Sequence, residues 1–199
     1  PVDIHVPDGA DVAVSVYVKE EADCTTAHRC AYAMHHLGRG DTTGAAAMPG
    51  AEPLLSGYWM SAMEVYRPVA APVVVAFGDS LTDGHGSTVG ANRRYPDLLA
   101  QRLRQRHGAL PVAVVNAGLS GNRWRFDRFG QRGIERFRRD ALSVSGITHA
   151  IVQLGINDIG FQHQWTPQET ATADDVIASL SGAVAAGRAA GVQVHVATL

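Results

Sequence analysis

The chain has 199 residues, 46% of them hydrophobic, enough to bury one α/β core or a trimmed core with a small appendage. Seventeen basic residues against nineteen acidic ones leave a net charge of −2, which excludes a global field that would recruit nucleic acid or anionic membrane. No apolar run approaches the roughly 20 residues of a membrane span, so no transmembrane segment is expected.

The chain opens at Pro1 with no basic, apolar leader, as a mature or trimmed piece would. Residues 1–70 read as a small β-rich region. Val12, Val14, Val16 and Val18 alternate with a period of two, the pattern of a half-buried strand, and a second strand-like run lies near YWMSAMEVY. Between them DCTTAHRC carries Cys24 and Cys30. Three states fit this spacing: a small disulfide, which would imply an oxidising compartment; two free thiols; or, with His28, part of a metal site whose spacing matches no common zinc pattern. The triplet inside GRGD, Gly38 to Asp41, arises often by chance in loops and carries no adhesion reading.

Residues 71–199 have a regular rhythm. PVVVAF predicts a strand, and YPDLLAQRLRQRHG predicts a helix with Leu99 and Leu103 on one face and Gly108 as its stop. PVAVVNAG predicts a second strand, followed by a Gly/Arg loop and a helix near 130–142 that aligns Ile134, Phe137 and Ala141. THAIVQLG predicts a third strand. Thr172 and Asp175 form a capping-box start for a long helix, with Val176, Ile177, Leu180 and Val184 on its apolar face and Gly191 at its end. VQVHVATL closes the order as a fourth strand. Alternation of this kind implies a parallel sheet with right-handed crossovers, its apolar strands covered on both faces by helices.

In such a sheet all strands point one way, and their carboxyl ends meet along the edge where open α/β folds place their sites. Gly78-Asp79-Ser80, Leu119-Ser120-Gly121-Asn122 and Gly155-Ile156-Asn157-Asp158 each follow a strand. A serine hydroxyl at a strand-to-helix turn suits a nucleophile. The N–H of Ser80, the N–H of Gly121 and the side-chain amide of Asn157 could stabilise the oxyanion of acyl transfer, for which Asn157 offers a neutral donor. Asp79 and Asp158 read as supporting hydrogen-bond partners. Arg123 and Trp124, just after Gly121, are candidates to line the acyl or alcohol pocket.

FGDSLTDG, NAGLSGN and LGINDIG resemble the first three signature blocks of the SGNH (GDSL) esterase and lipase family, over roughly residues 72–199. The resemblance implies a flavodoxin-like three-layer α/β sandwich and Ser80 as nucleophile, with Gly121 and Asn157 completing the oxyanion hole. It implies no metal or organic cofactor, and small acyl, carbohydrate acetyl or lipid esters as substrates. The longer block forms, with a β-rich N-terminal region, resemble a bacterial branch of often secreted enzymes, so an extracellular location is expected. The family's fourth block, Asp-x-x-His, supplies the general base and its orienting acid, and it does not follow Asn157 here. The expectation is that it lies beyond Leu199, and that these 199 residues alone are inactive or nearly so. A local base, His163 or His85, is the other possibility, whereas His195 alternates with valines and reads as a packed sheet residue.

Other readings of the motifs are weaker. Gly84, Gly86 and Gly90 have the spacing G-x-G-x-x-x-G with no lysine after them, which fits neither a dinucleotide loop nor a phosphate loop. NRWRFDRFGQRGIERFRR is rich in arginine and aromatics, but Asp127 and Glu135 interrupt it, so a solvated helix face is expected rather than nucleic-acid binding. Two classes of function remain: a serine esterase, or a non-catalytic binding or structural module on the same fold.

Overall fold

The structure, a computed structural model, describes residues 2–67, 69–107 and 112–198. Its centre is a four-stranded parallel sheet made of β5 (Val73–Gly78), β6 (Ala113–Gly118), β7 (Ile147–Gln153) and β8 (Gln193–Val196), in the order β6-β5-β7-β8. That order is the flavodoxin-like 2-1-3-4 sequence of strands.

The helices are α1 (Ser80–Asp83), α2 (Tyr95–His107), α3 (Gly133–Arg136) running into a π-helical turn over Phe137–Leu142, α4 (Ile156–Gln164) and α5 (Ala173–Ala189). The chain steps from β5 to β6 in one direction, then crosses back to β7 and β8. Right-handed crossovers therefore place α2 on one face and α3 with α5 on the other, which makes the three layers expected from the sequence. Gly108, the expected stop of α2, lies outside the described residues, as does Leu199 at the end of the expected fourth strand.

The core lies under α3 and α5. Val75, Phe77, Ala150, Val152 and Leu154 meet Trp124, Phe137, Ala141, Val176 and Ala183 there. Three rings form its centre, with Phe77 5.2 Å from Phe137 and 5.8 Å from Trp124 between centroids, favourable edge-to-face and tilted arrangements. Two positions of the apolar faces expected from sequence come out differently. The π-turn adds a residue to the helical repeat, so Phe137 and Ala141 point inward while Ile134 is exposed. On α5 the buried stripe is Val176, Ser179, Ala183 and Gly187, and Ile177 faces solvent. Thr172 and Asp175 do form the reciprocal capping box, and Gly191 follows α5 with φ +73°.

Gly118 is required by close approach. A Cβ there would overlap the backbone nitrogen of Asp83, because α1 lies directly on the end of β6. Gly118→Ala forces the two apart, and the expected loss is about 2 kcal/mol of stability, read as a lower denaturant midpoint with unchanged slope.

The N-terminal region contains two short antiparallel pairs, β1 (Ala27–His28) with β4 (Gly57–Tyr58) and β2 (His35–Leu37) with β3 (Glu52–Leu54). The expected strand at Val12–Val18 is not one. Its four valines are 38–56% exposed, and no described strand pairs with it, so the alternation has no sheet to bury into. YWMSAMEVY contributes only Tyr58 to a strand. Trp59 turns to φ +61°, which breaks the extended run, and Met60 to Tyr66 are exposed. Cys24 and Cys30 are both free and exposed, so the disulfide reading is not realised. Among the described residues no His, Cys, Asp or Glu cluster could hold a metal ion, and His28 is engaged with Asp83 instead.

Candidate active site

The three polar clusters meet at the carboxyl ends of β5, β6 and β7. Gly78 ends β5, Asp79 caps α1 by accepting from the Leu81 N–H at 3.0 Å, and Ser80 is the first residue of the helix, half-buried at its mouth. The Ser80 carbonyl accepts from the N–H groups of Gly84 and His85 at 2.9 and 2.8 Å, which fixes the turn beneath the hydroxyl. From the next strand, the Leu119 N–H donates to the Gly78 carbonyl at 3.0 Å, and the Asn122 N–H closes a tight turn onto the Leu119 carbonyl at 3.0 Å. Gly121 sits in that turn with φ +78°, a backbone state that disfavours any side chain. Among the described residues no acceptor pairs with the N–H of Ser80 or of Gly121.

Asn157, in the first turn of α4, donates from Nδ2 to the Asn122 carbonyl at 3.0 Å. One amide hydrogen thus ties the third cluster to the second, and among the described residues its other hydrogen has no acceptor. Asn122 is itself clamped. Its Oδ1 accepts from Arg136 at 2.8 Å, and its Nδ2 donates to the Gln131 carbonyl at 2.8 Å. Arg136 also donates to the Ala117 carbonyl and to Asp140, and it lies over the Phe77 ring.

Both aspartates beside the clusters are buried and accept backbone N–H groups. Asp158 is fully buried, accepting from the N–H groups of Trp124 at 2.8 Å and Arg125 at 3.0 Å, and burial raises its carboxyl above the ordinary range. Asp79 is also fully buried. Burial pushes its carboxyl up to about 6, Asp158 adds to the rise, and the Leu81 N–H opposes it. Among the described residues its Oδ2 has no hydrogen-bond partner.

Arg123 and Trp124 do not line an open pocket. Each is 1% exposed: Trp124 belongs to the core and donates from Nε1 to the Leu154 carbonyl, while Arg123 pairs with Glu169 and donates to the Asp127 carbonyl. Polar neighbours of this kind let a guanidinium enter the interior. Other arginines of the same stretch are also paired, Arg125 with Asp175, Arg132 with Glu135 and Arg139 with Asp140. Of the local histidines, His85 binds the Tyr32 hydroxyl through Nδ1 at 2.7 Å, and His163 is exposed on the last turn of α4. His195 lies in β8, where it is exposed and stacked on His149 at 5.8 Å.

Sequence reasoning missed Asp83, Ser120 and Arg136. Asp83 had a readable signal, since it stands three residues after Ser80 on the same helix and on a neighbouring face. Arg136 had none, because the partners that tie it to the site, Asn122 and Ala117, stand 14 and 19 residues away in sequence.

A four-stranded parallel sheet in the order 2-1-3-4, with helices on both faces and Ser80, Gly121 and Asn157 at its carboxyl edge, defines a flavodoxin-like α/β fold. Residues 76–199 match the family model described as GDSL-like lipase/acylhydrolase, and the chain belongs to that family. No curated protein matches. Among solved structures, it is similar to LAE5, an alpha/beta hydrolase enzyme from the metagenome of Lake Arreo, Spain, at 22% identity and a TM-score of 0.50, over 63% of this chain and 59% of that one. AlinE4, a SGNH-hydrolase family esterase, is 26% identical with a TM-score of 0.49, over 63% and 58% of the two chains. Axe2, an acetyl xylan esterase from Geobacillus stearothermophilus, is 21% identical with a TM-score of 0.46, over 63% and 58%. The chain therefore spans less than two thirds of the length of these relatives.

Proposed function

We propose that residues 71–199 carry the nucleophile and oxyanion hole of a serine ester hydrolase. The observation that supports this is the joining of three strand-end clusters by direct hydrogen bonds, Leu119 to Gly78 and Asn157 to Asn122, around the half-buried Ser80. In this reading the Ser80 hydroxyl attacks the ester carbonyl, and its proton passes to a base. The carbonyl oxygen becomes an oxyanion held by the N–H groups of Ser80 and Gly121 and by the Asn157 amide. Collapse expels the alcohol and leaves an acyl-enzyme, which water hydrolyses by the same path. The substrate is a small acyl, carbohydrate acetyl or lipid ester, and no step calls on a metal or organic cofactor.

The base is the missing part. A hydroxyl without one keeps its proton through the transition state and attacks poorly. The reading places it on an Asp-x-x-His segment outside the 199 residues, which alone turn over ester slowly or not at all.

The test uses the protein expressed from its native reading frame. A fluorophosphonate probe is expected to modify Ser80, and p-nitrophenyl acetate to be hydrolysed in proportion to unmodified Ser80. A protein that does neither is a binding or structural module instead.

A further inference from the structure

The N-terminal region is bonded to the loops of the proposed site. Residues 28–32 run along the segment that follows Ser80. Arg94 donates to the Ala31 carbonyl at 3.2 Å, the Gly90 N–H donates to the Tyr32 carbonyl at 3.1 Å, and the Tyr32 hydroxyl meets His85 at 2.7 Å. At the inner end of this seam, His28 Nε2 lies 2.6 Å from Asp83 Oδ1. The Asp83 carboxylate is 1% exposed, and its other oxygen accepts from both the N–H of Ser120, at 3.0 Å, and its hydroxyl, at 2.6 Å.

Ser120 directly precedes Gly121 in the turn that presents the Gly121 N–H. The carboxylate is therefore the joint between a residue from far upstream and the oxyanion side of the site. We propose that His28 is a positioning residue for this site, acting through Asp83 to hold the Ser120–Gly121 turn in place. The proposal rests on the esterase reading above and adds to it a contribution from outside the matched domain.

The physical reason lies in the economy of one carboxylate. A buried carboxylate is costly unless its oxygens are satisfied. Ser120 satisfies one oxygen and His28 the other. Without His28, Oδ1 must find water or another donor, and any rotation that supplies one drags Oδ2 off Ser120. Asp83 cannot yield by moving its backbone, because it is pressed onto Gly118 and the neighbouring Thr82 carbonyl is held by Asn116 at 2.9 Å. The slack goes into the turn. His28 itself is 42% exposed at its side chain, so its replacement leaves no buried hole.

Amide hydrogen exchange in the 199-residue chain gives the first readout. His28→Ala is expected to speed exchange at the Ser120 N–H by about tenfold, with amides of β5 and β7 unchanged. His28→Gln, whose amide nitrogen can donate in place of Nε2, should recover most of the protection. The second readout is kinetic, in the protein from its native reading frame: kcat falls about tenfold in His28→Ala with KM within twofold, and His28→Gln restores it. Unchanged Ser120 exchange in His28→Ala overturns the proposal. So does faster exchange with kcat unaltered, in an enzyme that Ser80→Ala inactivates. Parent-level hydrolysis by Ser80→Ala would remove the nucleophile assignment instead, and the exchange measurement would still decide whether His28 orders the turn.

Discussion

With Asn157 in the proposed oxyanion hole, Asn157→Ala is expected to lower kcat by about 10²–10³-fold and leave KM within a few-fold, the loss that follows removal of one preorganised donor. The split follows from what the amide does. The ester carbonyl in the ground state is a weak acceptor, and the donor matters most when the oxygen becomes an anion. Asn157→Asp is expected to be at least as damaging, because a carboxylate cannot donate and would face both the oxyanion and the Asn122 carbonyl. Steady-state kinetics of both variants, with melting temperatures to show that α4 stays docked, check this. A rise in KM at constant kcat would assign Asn157 to ground-state binding instead.

Stability should fall as the pH rises through the range of Asp79. Its carboxyl titrates near 6 in the folded chain and near 3.8 when unfolded, so the native state holds the proton more tightly. Below 3.8 both states are protonated and nothing is lost. Between 3.8 and 6 the unfolded chain releases its proton first, and native stability drops by up to about 3 kcal/mol; above 6 both are ionised and the loss is constant. Asp79→Asn keeps an oxygen for the Leu81 N–H and carries an amide where the protonated acid carries its hydroxyl. The variant should therefore match the parent at low pH and exceed it above pH 6. Urea unfolding at pH 3.5, 5 and 7.5 measures the difference, and a constant gap across the three would contradict the assignment.

Much of this architecture was legible from local pattern. Ser80, Gly121 and Asn157 could be found because each stands just past an apolar run, and parallel strands connected by helices can only bring those ends to one edge. Thr172 and Asp175 were readable as a cap because both partners lie within one helical turn. The alternating valines at 12–18 show where such reading fails. Period two reports that a segment can form a half-buried strand, but a strand exists only where a neighbour offers an edge, and no described strand does so there.

The same division runs through the site. Local chemistry pointed to Ser80 as the proposed nucleophile and to Gly121 and Asn157 as its proposed oxyanion partners, since hydroxyl, glycine and amide are recognisable from type and neighbours. Burial turned Arg123 and Trp124 from pocket candidates into framework, because their partners Glu169 and Leu154 stand thirty or more residues away. His28, Asp83 and Ser120 likewise span over ninety positions, yet they share one carboxylate. Hydrogen bonds act over about 3 Å of space, whatever the distance along the chain, and the fold alone sets which distant residues come that close.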